Sequence, residues 1–141
     1  MNKNGVIVIV EDDLDDQGIF KSVFKDLNDK NKVLFFGDGQ DTLEYLIKSD
    51  HKPFIVFSDI NMPRLNRIKL RRKIIENKNI HLKTIPYLFF TTSADQQHVI
   101  DAYSKFIQGF FVKLTSFREL NETITTVIDY WQKCVFPNYT N

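Results

Sequence analysis

A chain of 141 residues has room for one domain with a sizeable core and hardly for two. Its formal net charge of +1 argues against a general nucleic-acid binder, and its single cysteine, Cys134, excludes an internal disulfide. The apolar run after Gly5 is too short for a signal-peptide core and no segment nears a membrane span, so a cytoplasmic protein is expected.

Val6 to Val10 is a continuous β-branched run, as in a strand buried on both faces, and it ends on Glu11-Asp12-Asp13. From Leu14 to Leu27, apolar residues recur at Ile19, Phe20, Val23, Phe24 and Leu27, which predicts a helix. Asp12, Asp13, Asp15 and Asp16 lie at its start; for Asp13, Asp15 and Asp16 the helix dipole is reason enough. Val33 to Phe36 reads as a short strand closed by Gly37-Asp38-Gly39. A helix is predicted from Asp41 to Ser49, with Leu43, Leu46 and Ile47 facing inward. After the turn Asp50-His51-Lys52-Pro53 comes a second unbroken apolar strand, Phe54 to Phe57. It emerges on Ser58-Asp59, and Pro63 blocks a smooth continuation.

Ile68 to Asn77 reads as a heavily basic helix, and the run from Arg64 to Lys73 is expected to be a solvated face. Thr84-Ile85-Pro86 leads into a strand at Tyr87 to Phe90, which ends on Thr91-Thr92-Ser93. A helix is predicted from Asp95 to Ile107, then a strand from Gly109 to Val112 ending on Lys113. Ser116 caps a last helix with Phe117, Leu120, Ile124, Val127, Ile128 and Trp131 on its apolar side. Strands and helices alternating five times predict a parallel sheet with helices on both faces. The core is expected over residues 5–133 of a single 1–141 domain, with a short tail at 134–141 and no output domain.

In such sheets ligands bind beyond the carboxyl ends of the strands. Residues just past those ends are Glu11 and Asp12, Asp59, Thr91 and Lys113. Three carboxylates brought together repel and are stable with a cation among them. Oxygen ligands of this kind suit Mg²⁺, which favours one or two carboxylates plus a phosphate oxygen. Asp59 can then attack a phosphoryl donor and become an aspartyl phosphate. Lys113 can place its charge on a phosphate oxygen, and Thr91 can donate a hydrogen bond to another. His51, His81 and His98 show no ligand spacing and are assigned no role.

These residues resemble the receiver domain of two-component response regulators. The likeness runs from Val6 to about Trp131 and rests on four segments in order. They are Val8-Ile9-Val10-Glu11-Asp12-Asp13, Phe57-Ser58-Asp59-Ile60-Asn61-Met62-Pro63, Phe89-Phe90-Thr91-Thr92-Ser93 and Gly109-Phe110-Phe111-Val112-Lys113. The resemblance implies a doubly wound, flavodoxin-like (βα)5 fold with strand order 2-1-3-4-5. It also implies Mg²⁺ held by Asp12, Asp59 and the backbone carbonyl of Asn61, with Glu11 reaching it through water. The implied donor is a phosphohistidine on a sensor histidine kinase or a phosphotransfer protein. Thr91 and Phe110 take the family's switch positions, and the signal passes by protein contacts. The face made by the fourth helix, fifth strand and fifth helix would meet a downstream target or a second copy. No membrane or nucleic-acid partner is implied, and the chain is a modified acceptor rather than an enzyme of steady turnover.

The chain departs from the family at several positions. Leu114 stands where Pro usually follows the lysine in cis, and a cis bond costs about 2.5–4 kcal/mol without Pro. Arg67 stands where the loop usually reaches a Gly, Arg71 where the third helix is usually apolar, and Phe110 where Tyr is commoner. Leu114 and Arg67 motivate an alternative, a degenerate receiver acting as a phosphorylation-independent binding module. An aspartyl phosphatase of the haloacid-dehalogenase kind fits less well, because Asn61 cannot serve as the general acid of a D-x-D pair. A flavodoxin-like FMN carrier fits less well too, since Glu11-Asp12-Asp13 would repel the phosphate.

Overall fold

The computed structural model of the chain describes residues 3–27, 31–49, 53–59, 67–77, 84–91, 104, 107–112 and 116–135, with the side chains of 67, 68 and 91 excepted. The elements are β1 (Ile7–Val10), α1 (Leu14–Leu27), β2 (Val33–Phe36), α2 (Gly39–Lys48), β3 (Ile55–Asp59), α3 (Arg67–Glu76), β4 (Tyr87–Thr91), β5 (Gly109–Val112) and α4 (Phe117–Lys133). All five strands pair in parallel in the order β2-β1-β3-β4-β5. That is the flavodoxin-like arrangement the resemblance implies. The helix expected at Asp95–Ile107 lies outside the described residues, apart from Ser104 and Ile107. Among the described residues, no helix is long and apolar enough to cross a membrane.

β1 and β3 occupy the middle of the sheet, and every residue in both is buried. Their unbroken apolar runs follow from that position, since each face of a central parallel strand meets a helix. Successive side chains alternate between two separate cores. Ile7, Ile9, Ile55, Phe57, Leu88 and Phe90 join Phe20, Val23 and Phe24 of α1 and Leu120, Ile124 and Ile128 of α4. Val8, Val10, Val56, Tyr87 and Phe89 join Leu43 and Leu46 of α2 and Leu70 and Ile74 of α3. The edge strand β2 is only half-buried throughout.

Three expectations change at this level. α2 begins at Gly39 rather than Asp41, because Asp38 is its N-cap and its carboxylate accepts from Gln40 N at 2.6 Å and Asp41 N at 3.3 Å. Ile47 does not face inward: it is 49% exposed, because the inward stripe of α2 runs through Leu43 and Leu46. Phe117 is 44% exposed, since it opens α4 beyond the end of the core, and Val127 and Trp131 are only partly buried at that core's margin.

α1 and α4 are tied laterally by Asn121 Nδ2, which donates to Asp26 Oδ2 at 2.8 Å. At the amino-terminal edge of β1 and β2, Asn31 Nδ2 donates to the Gly5 carbonyl at 2.6 Å and the Lys3 carbonyl at 2.9 Å. Gln132 Nε2 also donates to the Lys3 carbonyl, at 3.1 Å, which pins the last turn of α4 to the start of the chain.

Candidate functional site

The site is built where β1 and β3 end side by side. Val10 is in register with Ser58, so the next residues along, Glu11 and Asp59, emerge next to each other. Asp59 is the last residue of β3 and is 6% exposed; across β4 it is in register with Phe90. Glu11 is fully buried, and its N–H extends the sheet ladder by donating to the Phe36 carbonyl at 2.8 Å. Gln17 of α1 reaches back, its Nε2 donating to the Glu11 carbonyl at 2.5 Å.

The turn from β1 into α1 then separates the acids by task. Asp13 Oδ1 accepts from Asp15 N at 2.8 Å and Asp16 N at 3.1 Å, capping the helix as expected of an acid at that position. Asp13 N donates to Glu11 Oε2 at 3.2 Å and so orients the buried carboxylate. Asp12, between them, is exposed. Gly37, in the loop leaving β2, lies against this turn: a Cβ there would sit 3.8 Å from Asp12 Cα and 3.9 Å from the Glu11 carbonyl oxygen.

The result is a triad of carboxylates. Glu11, Asp12 and Asp59 each offer an oxygen, and these oxygens lie within 4.8 Å of one another. Two of the three are withdrawn from water and one faces it. Three negative charges this close repel, and a hard divalent cation is the partner that all-oxygen donors of this kind accommodate. The donor set therefore fits such an ion, with Asp12 on the solvent side and Glu11 and Asp59 on the buried side.

Thr91 ends β4, one residue past the partner of Asp59, and is in register with Val112 of β5. Its backbone therefore lies on the same edge of the sheet as the acids. Lys113 follows Val112 directly but falls outside the described residues, as do Asn61, Leu114 and the side chains of Thr91 and Arg67. Phe110, in β5, is half-buried and packs beside Phe89, with ring centroids 6.3 Å apart.

Residue-by-residue reasoning missed two features, one beside this site and one farther back along β4. Gln17 carried no signal, because its partner is a backbone carbonyl. Arg71 was expected on a solvated face; it is 1% exposed, with its guanidinium 4.9 Å from the centre of the Tyr87 ring. Burial pushes its pKa down, and the neighbouring Tyr87 acts in the opposite direction. The spacing Leu70, Arg71, Ile74 places it on the inward stripe, a signal outweighed by its charge.

The profile of the response regulator receiver domain matches residues 7–125. The chain belongs to that family. Chemotaxis protein CheY-3 of Vibrio cholerae is 30% identical over 129 residues, covering 92% of this chain and 95% of the relative. Among solved structures, response regulator RPA3017, in red light signaling of R. palustris, superposes with a TM-score of 0.85 at 24% identity, covering 95% of this receiver and 99% of that chain. The phosphorylated cyanobacterial phytochrome response regulator RcpA superposes with a TM-score of 0.83 at 19% identity, covering 94% and 98%. Both superpositions show the receiver fold.

Proposed function

We propose that this receiver accepts a phosphoryl group on Asp59 from a phosphohistidine of a sensor histidine kinase or phosphotransfer protein. The observation that carries the reading is the carboxylate triad at the end of the central strands, with Asp59 itself 6% exposed. A carboxylate oxygen of Asp59 attacks phosphorus, an O–P bond forms, and the N–P bond to the donor imidazole breaks. The imidazole leaves with its electron pair and takes a proton. Mg²⁺, when bound by Asp12, Asp59 and the carbonyl of Asn61, supplies charge neutralisation for the transferring group. Glu11, buried and fixed by Asp13 N, holds its carboxylate towards that position without competing as a nucleophile. Lys113 and Thr91 are assigned to the phosphoryl oxygens, and Thr91 with Phe110 to the change that follows.

The chain is modified in this step and then signals by protein contact, so it works as a relay component rather than by repeated turnover. That the related RcpA was captured phosphorylated supports the same chemistry here. The reading is tested by intact mass after incubation with acetyl phosphate, with and without Mg²⁺, on the native chain and on Asp59→Asn. The expected result is one added phosphoryl group that needs both Mg²⁺ and Asp59. No addition to a folded, Mg²⁺-binding protein would overturn it in favour of a phosphorylation-independent module.

A further inference from the structure

One layer of the molecule carries a line of contacts that the site does not use. Phe110 of β5 is in register with Phe89 of β4, and their rings lie 6.3 Å apart. Phe89 meets Tyr87, two residues back on the same face of β4, edge to face at 5.4 Å. Tyr87 in turn receives the Arg71 guanidinium of α3 over its ring at 4.9 Å. Phe89, Tyr87 and Arg71 are all at most 1% exposed, whereas Phe110 is half-buried.

We propose that Arg71 is a positioning residue for the Asp59 site, setting through Tyr87 and Phe89 how readily Phe110 moves inward when Asp59 carries a phosphoryl group. The proposal rests on the phospho-acceptor reading of Asp59 and adds α3 to the elements that respond to it. Its physical basis is directional. An edge-to-face pair and a cation over a ring both depend on ring orientation, unlike contacts between aliphatic side chains. A tilt of Phe89 to admit Phe110 would disturb its edge-to-face packing with Tyr87, and a turn of Tyr87 would move the face that holds the guanidinium. A cation seated on Tyr87 therefore resists the inward state of Phe110. Replacing it with a flexible thioether relaxes that resistance. The outer side of α3 presents Lys69, Arg72 and Lys73 to solvent, so a shift of this helix moves a basic surface.

The test is the affinity for beryllofluoride, a phosphoryl mimic on carboxylates, in the presence of Mg²⁺. Arg71→Met is expected to tighten binding by about fivefold, the lower end of ordinary coupling between sites. That gain should vanish when the same substitution is made in a Phe110→Ala background. A second readout is the ¹⁹F spectrum of protein containing 3-fluorotyrosine, with the Tyr87 signal assigned by Tyr87→Phe. Its Tyr87 resonance should move on loading of the native chain and stay still in Phe110→Ala. Where Arg71→Met does not fold, Arg71→Lys serves, since it keeps the charge and loses the planar group that stacks. Unchanged affinity in the folded Arg71 variant, or a gain that persists without Phe110, overturns the proposal. Failure of the native chain to bind beryllofluoride overturns the phospho-acceptor reading together with it. Binding by the native chain with no response to Arg71 overturns the proposal alone.

Discussion

On the α1/α4 side of the sheet, the layer consists of hydrocarbon and aromatic carbon: Phe20 touches Phe90, Phe90 stacks on Phe111 and Phe111 meets Phe57, with Ile7, Ile9 and Ile124 around them. On the α2/α3 side, the same strands contribute alternate residues to a layer that also encloses Arg71 and the Tyr87 phenol. The interior of the first layer is closed by close packing, which tolerates little movement. The second holds a buried charge on an aromatic face and ends at the half-buried Phe110. The contrast suggests a division of labour within one sheet. One face holds the strand ends that carry Glu11 and Asp59 in place, and the other can answer a change at them.

The sharpest way to break this comparison is to hollow the closed layer. Phe90 is fully buried, contacts Phe20 at 5.0 Å and Phe111 at 5.9 Å, and is in register with Asp59. Phe90→Ala is expected to lower stability by about 3–5 kcal/mol, read from the denaturant midpoint at unchanged slope. A loss below about 1 kcal/mol would mean that this layer is looser than its packing indicates.

A middle-sized effect belongs to the cap of α2. Asp38→Ala removes the acceptor for two backbone N–H groups and should cost roughly 0.5–2 kcal/mol, with asparagine at the same place restoring most of it. Chemical denaturation of the three proteins side by side decides it.

Gly18 works in the opposite sense. It lies inside α1, is exposed, and a Cβ there would meet nothing within 4 Å. Gly18→Ala should therefore raise stability by roughly 0.5–1 kcal/mol, visible as a higher melting temperature. A fall would show that α1 needs glycine for its own conformation.

The smallest stability change is expected at Arg71. Arg71→Met removes a desolvation penalty and gives up favourable contacts, that with the Tyr87 ring among them, so it should stay within about 1 kcal/mol of the native protein. A large loss would show that the second layer depends on the cation as strictly as the first depends on Phe90, and would erase the contrast.

Much of this architecture is legible in the chain because central parallel strands and amphipathic helices leave periodic marks. The runs Val6–Val10 and Phe54–Phe57 read as doubly buried strands, and the structure buries both except Val6, which is half-buried ahead of β1. Where burial is shared or ends abruptly, the pattern misleads. Ile47 and Phe117 are apolar and near the inward stripe of their helices, yet lie past its edge. Asp38 reads as a loop acid, although a Gly-Asp-Gly stretch before a helical run is also what an N-cap looks like.

By itself the sequence determined the element order, the two central strands, and the emergence of Glu11, Asp12 and Asp59 at strand ends. Periodicity and chain breaks are local properties, written in neighbouring residues. Only the tertiary structure decided that those three carboxylates share a space 4.8 Å across, because the register of β1 against β3 joins segments far apart in the chain. It alone decided the fate of Arg71 as well. Solvation of a guanidinium depends on what lies across the helix, and there the sheet supplies the face of Tyr87 in place of water.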